Sequence, residues 1–215
     1  MLPNEQNKRI SGIDRLFEQS NNSKVYRKGQ YIYQEGELAR GIFRIQKGRV
    51  KLWKLSSSFT RSLILYFAYS NEPFGVIDFF KKGKIRRCSA TAMDNEVVIQ
   101  FIPLSESERF MHRDADFRKE IFDLLVDWEQ IIYEKYVELQ SNNIDERVYR
   151  ALQHLARRKG TSTDKGIMLK TIIHQDVSDY VGISRQSVTY AFIKLEKAGK
   201  IEYNRKHILV KKQKP

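Results

Sequence analysis

The segment from Asp116 to about Ser141 constrains the fold most, because it runs for 26 residues without a glycine or a proline. Its apolar residues recur at spacings of three and four, which is the pattern of an amphipathic helix. At 1.5 Å per residue, such a helix would be about 39 Å long. A helix of this length that is apolar on more than one face needs two neighbours.

We expect one neighbour to be the β-domain of the same chain and the other to be the same helix of a second chain. The alternative is a core helix within one chain, without a dimer. The apolar residues of the predicted dimer helix are Ile121, Leu124, Leu125, Trp128, Ile131, Ile132, Tyr136 and Leu139.

Residues 25–103 show a different pattern, in which short apolar runs alternate with glycine-containing turns. Many short strands with such turns indicate a sandwich or a barrel. We interpret Leu63 to Phe67 as a buried strand after a hairpin loop at Ser56 to Ser58. Ser105, with Glu108 three residues later, has the form of a capping box at the start of a short helix.

A polar break at residues 141–143 follows the long helix, and we expect Asp145 to cap a new helix that ends before Gly160. Residues 160–165 are predicted to form a loop. We place the main domain boundary at the polar break, because it is short and lies between two helices.

The stretch from His174 to Glu196 predicts a helix-turn-helix. Gly182 can adopt the left-handed conformation of a tight turn after a short helix. Ser184 can then cap a second helix. The apolar residues that would pack the two helices together are Val177, Val181, Val188, Phe192 and Leu195.

The second helix would present side chains that suit base edges and phosphates, because arginine matches guanine and glutamine matches adenine. Ile201 to Val210 then alternates around a turn, which predicts a β-hairpin that serves as the wing of a winged helix. The tip carries Arg205 and Lys206, which we expect to contact backbone phosphate. The residues of this helix and its cap that we expect to contact DNA bases or phosphates are Ser184, Arg185, Gln186, Ser187, Thr189, Tyr190 and Lys194.

The charge is concentrated in the same part of the chain. The whole chain has 39 Lys and Arg against 26 Asp and Glu, which gives a net charge of +13. Residues 143–215 contain 16 of the basic and 7 of the acidic residues, so this third of the chain carries most of the positive charge. A basic third of a chain favours a polyanionic partner, and nucleic acid is the usual one. A well-solvated basic surface without such a partner is the alternative.

These pieces together resemble the family of the cyclic-AMP receptor protein and the fumarate–nitrate regulator (Crp/Fnr). The resemblance covers nearly the whole chain, in the order and spacing of its motifs. They are Lys28 to Gly36, Gly41-Ile42-Phe43, Gly48-Arg49-Val50, Asp145-Glu146-Arg147-Val148 and Gly182 to Val188.

The resemblance implies an α+β chain with three parts: an N-terminal β-roll of the jelly-roll, cupin-like, cyclic nucleotide-binding type in residues 1–114, a dimerisation helix and hinge in 115–142, and a winged helix-turn-helix in 143–215. It implies a homodimer on a palindrome-like site in double-stranded DNA, and contact with RNA polymerase. Arg185 falls at the base-contacting arginine of the family. Gln186 replaces a common glutamate, and Tyr190 replaces a second arginine of the cyclic-AMP receptor, so the DNA sequence that is read should differ.

The nucleotide cassette of the family is degenerate in this chain. Gly75 and Arg86 stand at their expected places, but Val76 replaces the glutamate that binds ribose and Arg87 replaces a small hydroxyl residue. On the long helix, Ile132 and Tyr133 replace a threonine and a serine. Each polar group of the nucleotide that loses its partner in the pocket lowers the binding free energy by about 1–3 kcal/mol. A micromolar affinity corresponds to only about 8 kcal/mol, so the combined losses would abolish it. The sequence therefore predicts that cyclic AMP does not control this protein.

The effector, if there is one, is left open. The pocket can be filled by its own side chains, can bind another small molecule against Trp128 and Ile132, or can hold haem through one of four histidines, of which three lie in the DNA-binding domain. His112 is interpreted as a surface residue. The single Cys88 excludes a disulfide within the chain and an iron–sulfur cage, and we interpret it as a buried strand thiol and not as a redox switch. We predict no cofactor and no metal.

No catalytic motif is present, so we predict that the chain is not an enzyme. A nucleotide-responsive regulatory module that uses only the β-domain is the competing class. The first twenty residues are polar and no apolar run is long enough to cross a bilayer, so we expect a cytoplasmic protein without a membrane partner.

Overall fold

The computed structural model describes residues 11–55, 62–80, 83–139, 143–170, 172–204 and 207–212. Contacts divide the chain into two units, Met1–Lys54 with Tyr66–Ile131, and Leu55–Leu65 with Ile132–Pro215. The three-part division at residues 114 and 142 stays a prediction.

The first unit is built around β-strands, as the glycine-punctuated pattern predicted. Within the described ranges, two four-stranded sheets have the orders β1-β8-β3-β6 and β2-β7-β4-β5, and the outer ends of β4 and β5 belong to the second unit. The strands are β1 (Ser23–Tyr26), β2 (Tyr31–Tyr33), β3 (Gly41–Lys47), β4 (Val50–Leu55), β5 (Ser62–Ala68), β6 (Pro73–Phe74), β7 (Ser89–Ala92) and β8 (Val97–Pro103).

Alternate residues of these strands point into an apolar interior, because successive side chains of a strand lie on opposite faces. Strand β4 shows the alternation, because Val50 and Leu52 are buried whereas Lys51 and Trp53 are partly exposed. In β5, Ile64 and Phe67 are buried and Leu65 is exposed. The predicted strand is therefore confirmed, but only half of it is buried. The predicted loop at Ser56 to Ser58 lies outside the described residues.

Helices α1 (Gly12–Glu18) and α2 (Leu104–Arg113), α3 (Ala115–Leu139) as far as Ile131, and a 3₁₀ turn at Ile77–Phe79 complete the first unit, whereas the end of α3 from Ile132 belongs to the second. The predicted long helix is thus confirmed. A second apolar cluster joins these helices to the sheet, and its buried members are Leu16, Phe17, Ile42, Val76, Ile102, Phe117, Ile121 and Trp128.

The predicted capping box at Ser105 is wrong. Helix α2 already begins at Leu104, directly after Pro103 at the end of β8, and no side chain caps it. Ser105 therefore lies inside the first turn, and the helix continues past Phe110 to Arg113.

The second unit contains helices and a small antiparallel sheet of order β11-β12-β10-β9. Its core comes from the buried faces of the three helices and from the inner face of the sheet. The elements are α4 (Ile144–Lys159), β9 (Thr161–Thr163), β10 (Gly166–Lys170), α5 (His174–Val181), α6 (Arg185–Lys197), β11 (Ile201–Tyr203) and β12 (His207–Lys211).

Two local predictions in this unit are wrong. The cap of α4 is Asn143, whose Oδ1 accepts hydrogen bonds from the backbone N–H groups of Asp145 (3.0 Å) and Glu146 (3.2 Å). Asp145 is therefore a residue of the first turn. The predicted loop at 160–165 contains strand β9, because Thr161–Thr163 pairs with β10.

Candidate DNA-binding surface and barrel interior

A glycine turn joins α5 to α6, as the sequence predicted. Gly182 has φ 75° and ψ 33°, in the left-handed region, and its N–H donates to the carbonyl oxygen of Ser178 at 2.9 Å. The buried Ser178 hydroxyl donates to the carbonyl oxygen of Ile183 at 2.6 Å. Glycine adopts this conformation at no steric cost, so the turn closes tightly.

The start of α6 is fixed by Ser184. Its Oγ accepts a hydrogen bond from the N–H of Ser187 at 3.0 Å, and the two hydroxyl oxygens are 2.8 Å apart. Ser184 is therefore the predicted N-cap, a position where the hydroxyl satisfies a backbone donor that has no partner within the helix.

Helix α6 has one buried face and one exposed face. The buried face consists of Val188, Ala191, Phe192 and Leu195. The predicted contact residues occupy the rest of the helix: Arg185 and Gln186 are exposed, Tyr190 is 60% exposed, and Ser187 and Thr189 are half-buried. The helix thus offers polar side chains at its amino end, where a recognition helix contacts bases.

Two predicted phosphate contacts already have partners within the chain. The hydroxyl of Thr189 donates to the carbonyl oxygen of Arg185 at 3.0 Å. The ammonium group of Lys194 lies 2.9 Å from the carboxylate of Asp145. Sequence patterns could not reveal this ion pair, because its members are 49 positions apart.

A groove between the start of α4 and the outer face of α6 was not predicted from the sequence. It is lined by Asn143, Ile144, Asp145, Ser187, Tyr190 and Lys194. The polar break at 141–143 was the only signal for it in the sequence.

His174 lies beneath the amino end of α6 and not on an open surface. Its ring packs on Phe192 (centroids 4.6 Å apart) and on Tyr203 (5.6 Å). Burial lowers the pKa of His174, and the positive charge of Arg185 lowers it further. The neutral ring therefore serves as an aromatic packing residue behind the reading surface.

The wing is a short antiparallel hairpin in which Ile201 pairs with Val210 and Tyr203 with Ile208. Asn204 shapes its turn, because its Oδ1 accepts a hydrogen bond from the N–H of His207 at 3.0 Å. Arg205 and Lys206, the predicted phosphate contacts at the tip, lie outside the described residues.

The interior of the β-domain holds a buried arginine. Arg86 is 2% exposed, and its guanidinium group donates to the carbonyl oxygens of Gly75 (2.9 Å) and Gly41 (2.6 Å). The same group lies 3.3 Å from the carboxylate of Asp78, which is 4% exposed. Arg86, which the resemblance places in the nucleotide cassette, is thus engaged by the chain's own acceptors.

Aromatic rings surround this guanidinium group. It lies 4.2 Å from the ring centroid of Tyr33 and 5.2 Å from that of Phe43, and both rings stack with Phe74. Gly75 has φ 73°, and a Cβ atom there would lie 2.6 Å from Nη1 of Arg86. Glycine at position 75 therefore leaves room for the arginine itself.

The other residues of the predicted effector pocket are dispersed. Val76 (1% exposed) and Trp128 (6%) belong to the apolar cluster between the sheet and α3. The side chain of Arg87 is half exposed, with Nε 3.6 Å from Asp78. Ile132 and Tyr133 are each 62% exposed. The structure thus brings Gly75 and Arg86 together, and Arg87 approaches the same Asp78 carboxylate, whereas Val76 and Trp128 pack in a separate apolar cluster. Ile132 and Tyr133 belong to the second unit.

Cys88 packs against the interior cluster of the β-domain. Burial raises the pKa of its thiol to about 11. A thiol with such a pKa stays protonated near neutral pH and is a poor nucleophile.

Helix α3 carries apolar residues on two faces. Of the predicted dimer set, Ile121 and Trp128 are buried in the chain's own core, and Leu124, Leu125 and Ile131 are half-buried against it. The remaining face is open, and its exposed apolar residues are Phe122, Val126, Ile132, Tyr133, Tyr136 and Val137.

Four of these exposed residues were absent from the predicted set: Phe122, Val126, Tyr133 and Val137. The 3–4 spacing could not separate the two faces, because both are apolar. Leu139, the last residue of α3, completes the predicted set.

Among the described residues, no group of three or more His, Cys, Asp and Glu side chains could hold a metal ion. No described helix is both long enough and apolar enough to span a bilayer. His154 packs its ring against Tyr180, and its Nδ1 lies 3.2 Å from the carboxylate of Glu134.

Comparisons with known proteins agree with this architecture. Residues 23–114 match the model of the cyclic nucleotide-binding domain, and residues 146–214 match that of the Crp-like helix-turn-helix domain. The chain is similar to transcriptional regulator LdrP of Thermus thermophilus, at 26% identity over 189 residues, which cover 86% of this chain and 91% of the relative. It is also similar to electron transport regulator A of Shewanella oneidensis, at 21% identity over 92% of this chain and 78% of the relative.

Among solved structures, FixK2 from Bradyrhizobium japonicum has the same fold, with a TM-score of 0.76 and 22% identity over 89% of this chain and 92% of the other. A nucleotide-binding type of β-domain followed by a capped, outward-facing helix of a helix-turn-helix defines a transcription regulator. The chain belongs to the Crp/Fnr family.

Proposed function

We propose that the protein is a homodimer that recognises a palindrome-like site in double-stranded DNA through α6, and that cyclic AMP does not control it. The exposed amino end of α6 supports the first part, because Arg185 and Gln186 stand free of the core while the opposite face is packed. Contact with RNA polymerase, action in the cytoplasm and the absence of a catalytic role belong to the same proposal.

Arg185 is the residue that we expect to read a base. It is the first residue of α6 after the Ser184 cap, where a side chain can reach a guanine edge with two hydrogen bonds. Gln186 follows it and suits adenine in the same way. Tyr190 lies one turn further along the exposed face.

A selection of binding sites from random duplexes, followed by mobility-shift titration, tests this assignment. We expect the wild-type protein to enrich a two-fold symmetric site. Arg185→Ala should lose about 1–3 kcal/mol of binding free energy and relax specificity at one base pair of each half-site. Lys197→Ala is the matched control, since it removes one exposed cation from the far end of the same helix.

Two results would contradict base recognition by Arg185 or DNA recognition as a whole. A loss that is uniform over all sequences would make Arg185 a phosphate contact. A wild-type protein without sequence preference at moderate salt would overturn the proposal itself.

The contacts of Arg86 support the second part of the proposal. A cyclic phosphate that entered the β-domain would have to take this guanidinium group from two backbone carbonyl groups and from the Asp78 carboxylate. The buried Asp78 carboxylate would then lie beside a second anion, with only the half-exposed Arg87 as a cationic partner. Such an arrangement is unfavourable, because a buried charge requires a partner.

Calorimetry with the purified protein tests this point. We expect no heat of binding at micromolar cyclic AMP, and the same DNA affinity with and without the nucleotide. A dissociation constant in the micromolar range would contradict this part of the proposal and leave DNA recognition untouched.

A further inference from the structure

Within the second unit, one lysine of α3 contacts both a strand and the helix-turn-helix. The ammonium group of Lys135 donates to the carbonyl oxygens of Ile64 (3.0 Å) and Leu65 (3.1 Å) on β5. Strand β5 lies at the edge of its sheet, so carbonyl groups along it need partners from outside the sheet.

The same ammonium group lies over an aromatic ring of the helix-turn-helix. The distance from Nζ of Lys135 to the ring centroid of Tyr180, on α5, is 3.4 Å. A cation above the face of an aromatic ring is attracted by the ring quadrupole, most strongly where water is excluded. Lys135 thus bridges β5 and α5.

A second set of contacts involves the same ring. Tyr180 stacks on His154 of α4, with centroids 6.5 Å apart. Nδ1 of His154 lies 3.2 Å from the carboxylate of Glu134, the neighbour of Lys135 on α3. Burial lowers the pKa of His154, so the neutral ring donates from Nδ1, and Nε2 is buried without a hydrogen-bond partner.

Helix α5 is in turn held to α4 and to the turn that begins α6, where the Ser178 hydroxyl donates to the carbonyl oxygen of Ile183. Arg147 of α4 donates to the carbonyl oxygen of Val181 at 3.0 Å, and the turn at Gly182 is closed by the hydrogen bond to Ser178. The orientation of α5 therefore sets the orientation of the reading helix.

We propose that Lys135 is a positioning residue for DNA recognition, an inference that rests on the proposed function. It touches no DNA. Its two carbonyl bonds and its ring contact fix α5, and through α5 the helix α6, relative to the carboxyl-terminal turns of α3. Since α3 is the helix that we expect to pair in the dimer, this contact sets the separation of the two reading helices, which must be about 34 Å to enter successive major grooves.

The test measures the DNA affinity of Lys135→Met and of the wild type for three duplexes. One is the selected site, and the other two have a spacer between the half-sites that is one base pair longer or one base pair shorter. Methionine keeps the apolar stem and removes the ammonium group. We expect an affinity for the selected site that is about tenfold lower, and a weaker preference for the native spacing. The dimer and the slope of log affinity against log salt should be unchanged, because no phosphate contact is lost.

Three further variants keep the inference falsifiable. Lys135→Arg should restore the spacing preference, since a guanidinium group can donate to the same carbonyl groups and stack on the same ring. Tyr180→Leu should reproduce Lys135→Met, and the double variant should lose no more than either single variant, because the two side chains act as one contact. Lys197→Met, which removes a cation elsewhere, should keep the native spacing preference.

Two results would overturn the inference while DNA recognition stands. One is a Lys135→Met protein with the spacing preference of wild type. The other is a uniform loss of affinity with a salt slope reduced by about one, which identifies a phosphate contact. A wild-type protein that selects no site would overturn the proposed function together with this inference.

Discussion

Arg86→Met is expected to lower the free energy of unfolding by about 3–5 kcal/mol, because it removes the buried partner of the Asp78 carboxylate and leaves only the half-exposed Arg87 near that charge. Arg86 and Asp78 are 2% and 4% exposed, so water cannot replace the lost partner. The half-exposed Arg87 lies 3.6 Å away and is too distant for a good hydrogen bond. The carbonyl oxygens of Gly41 and Gly75 lose their donors as well.

Urea unfolding of the whole chain, followed by tryptophan fluorescence, measures this loss. Arg86→Met combined with Asp78→Asn should recover part of it, since the second change removes the buried charge. Lys47→Met is the control, because the Lys47–Glu96 pair is exposed and should contribute little. A loss for Arg86→Met no larger than that of the control would show that the pair does not carry the stability of the interior.

A protein with lysine at both Val126 and Tyr133 is expected to be monomeric and to bind the full DNA site at least about a hundredfold more weakly. The two side chains are 61% and 62% exposed on the open face of α3, seven residues apart, which is the repeat of a paired helix. Lysines on both copies would repel each other across the pairing seam. A monomer also loses the effective concentration that links two half-sites.

Sedimentation equilibrium and titration against full and half-sites separate the two effects. The affinity for a half-site should change little, and the added positive charge favours DNA, so charge alone cannot explain a loss. Asp127→Asn, which makes the chain more positive by one unit where the double variant adds two, lies on another face of α3 and should remain dimeric. If the double variant is still a dimer, the two chains do not pair through this face of α3.

The helix-turn-helix could be predicted from the sequence because local rules determine it. Gly182 is needed for a left-handed turn, Ser184 for a cap, and the spacing of Val188 and Phe192 for a buried face, and all three predictions are confirmed. Each depends on residues within one or two turns of one another.

Two features of the second unit could not be predicted, one because two nearby residues suit the same role and one because it depends on pairing with another strand. Asn143 and Asp145 can both cap a helix, and only the backbone conformation of Asn143 (φ −91°, ψ 104°) decides between them. Strand β9 consists of Thr161–Thr163 and forms because β10 pairs with it.

The role of Arg86 also depends on the fold. The sequence showed only that Arg86 stands at its place in the nucleotide cassette, whereas the structure packs Asp78 and two carbonyl groups around it. Periodicity likewise identified α3 as apolar but could not tell which face serves the chain's own core.

The ion pair between Lys194 and Asp145 changes how the charge of the second unit should be counted. A lysine that is already neutralised within its own chain releases fewer condensed counterions when it meets a phosphate. Lys200 and Lys211 also have carboxylate partners, Glu146 and Glu202. The number of basic residues in residues 143–215 therefore overstates the ionic-strength dependence of DNA affinity, and the sensitivity to salt reflects the cations that remain unpaired after folding.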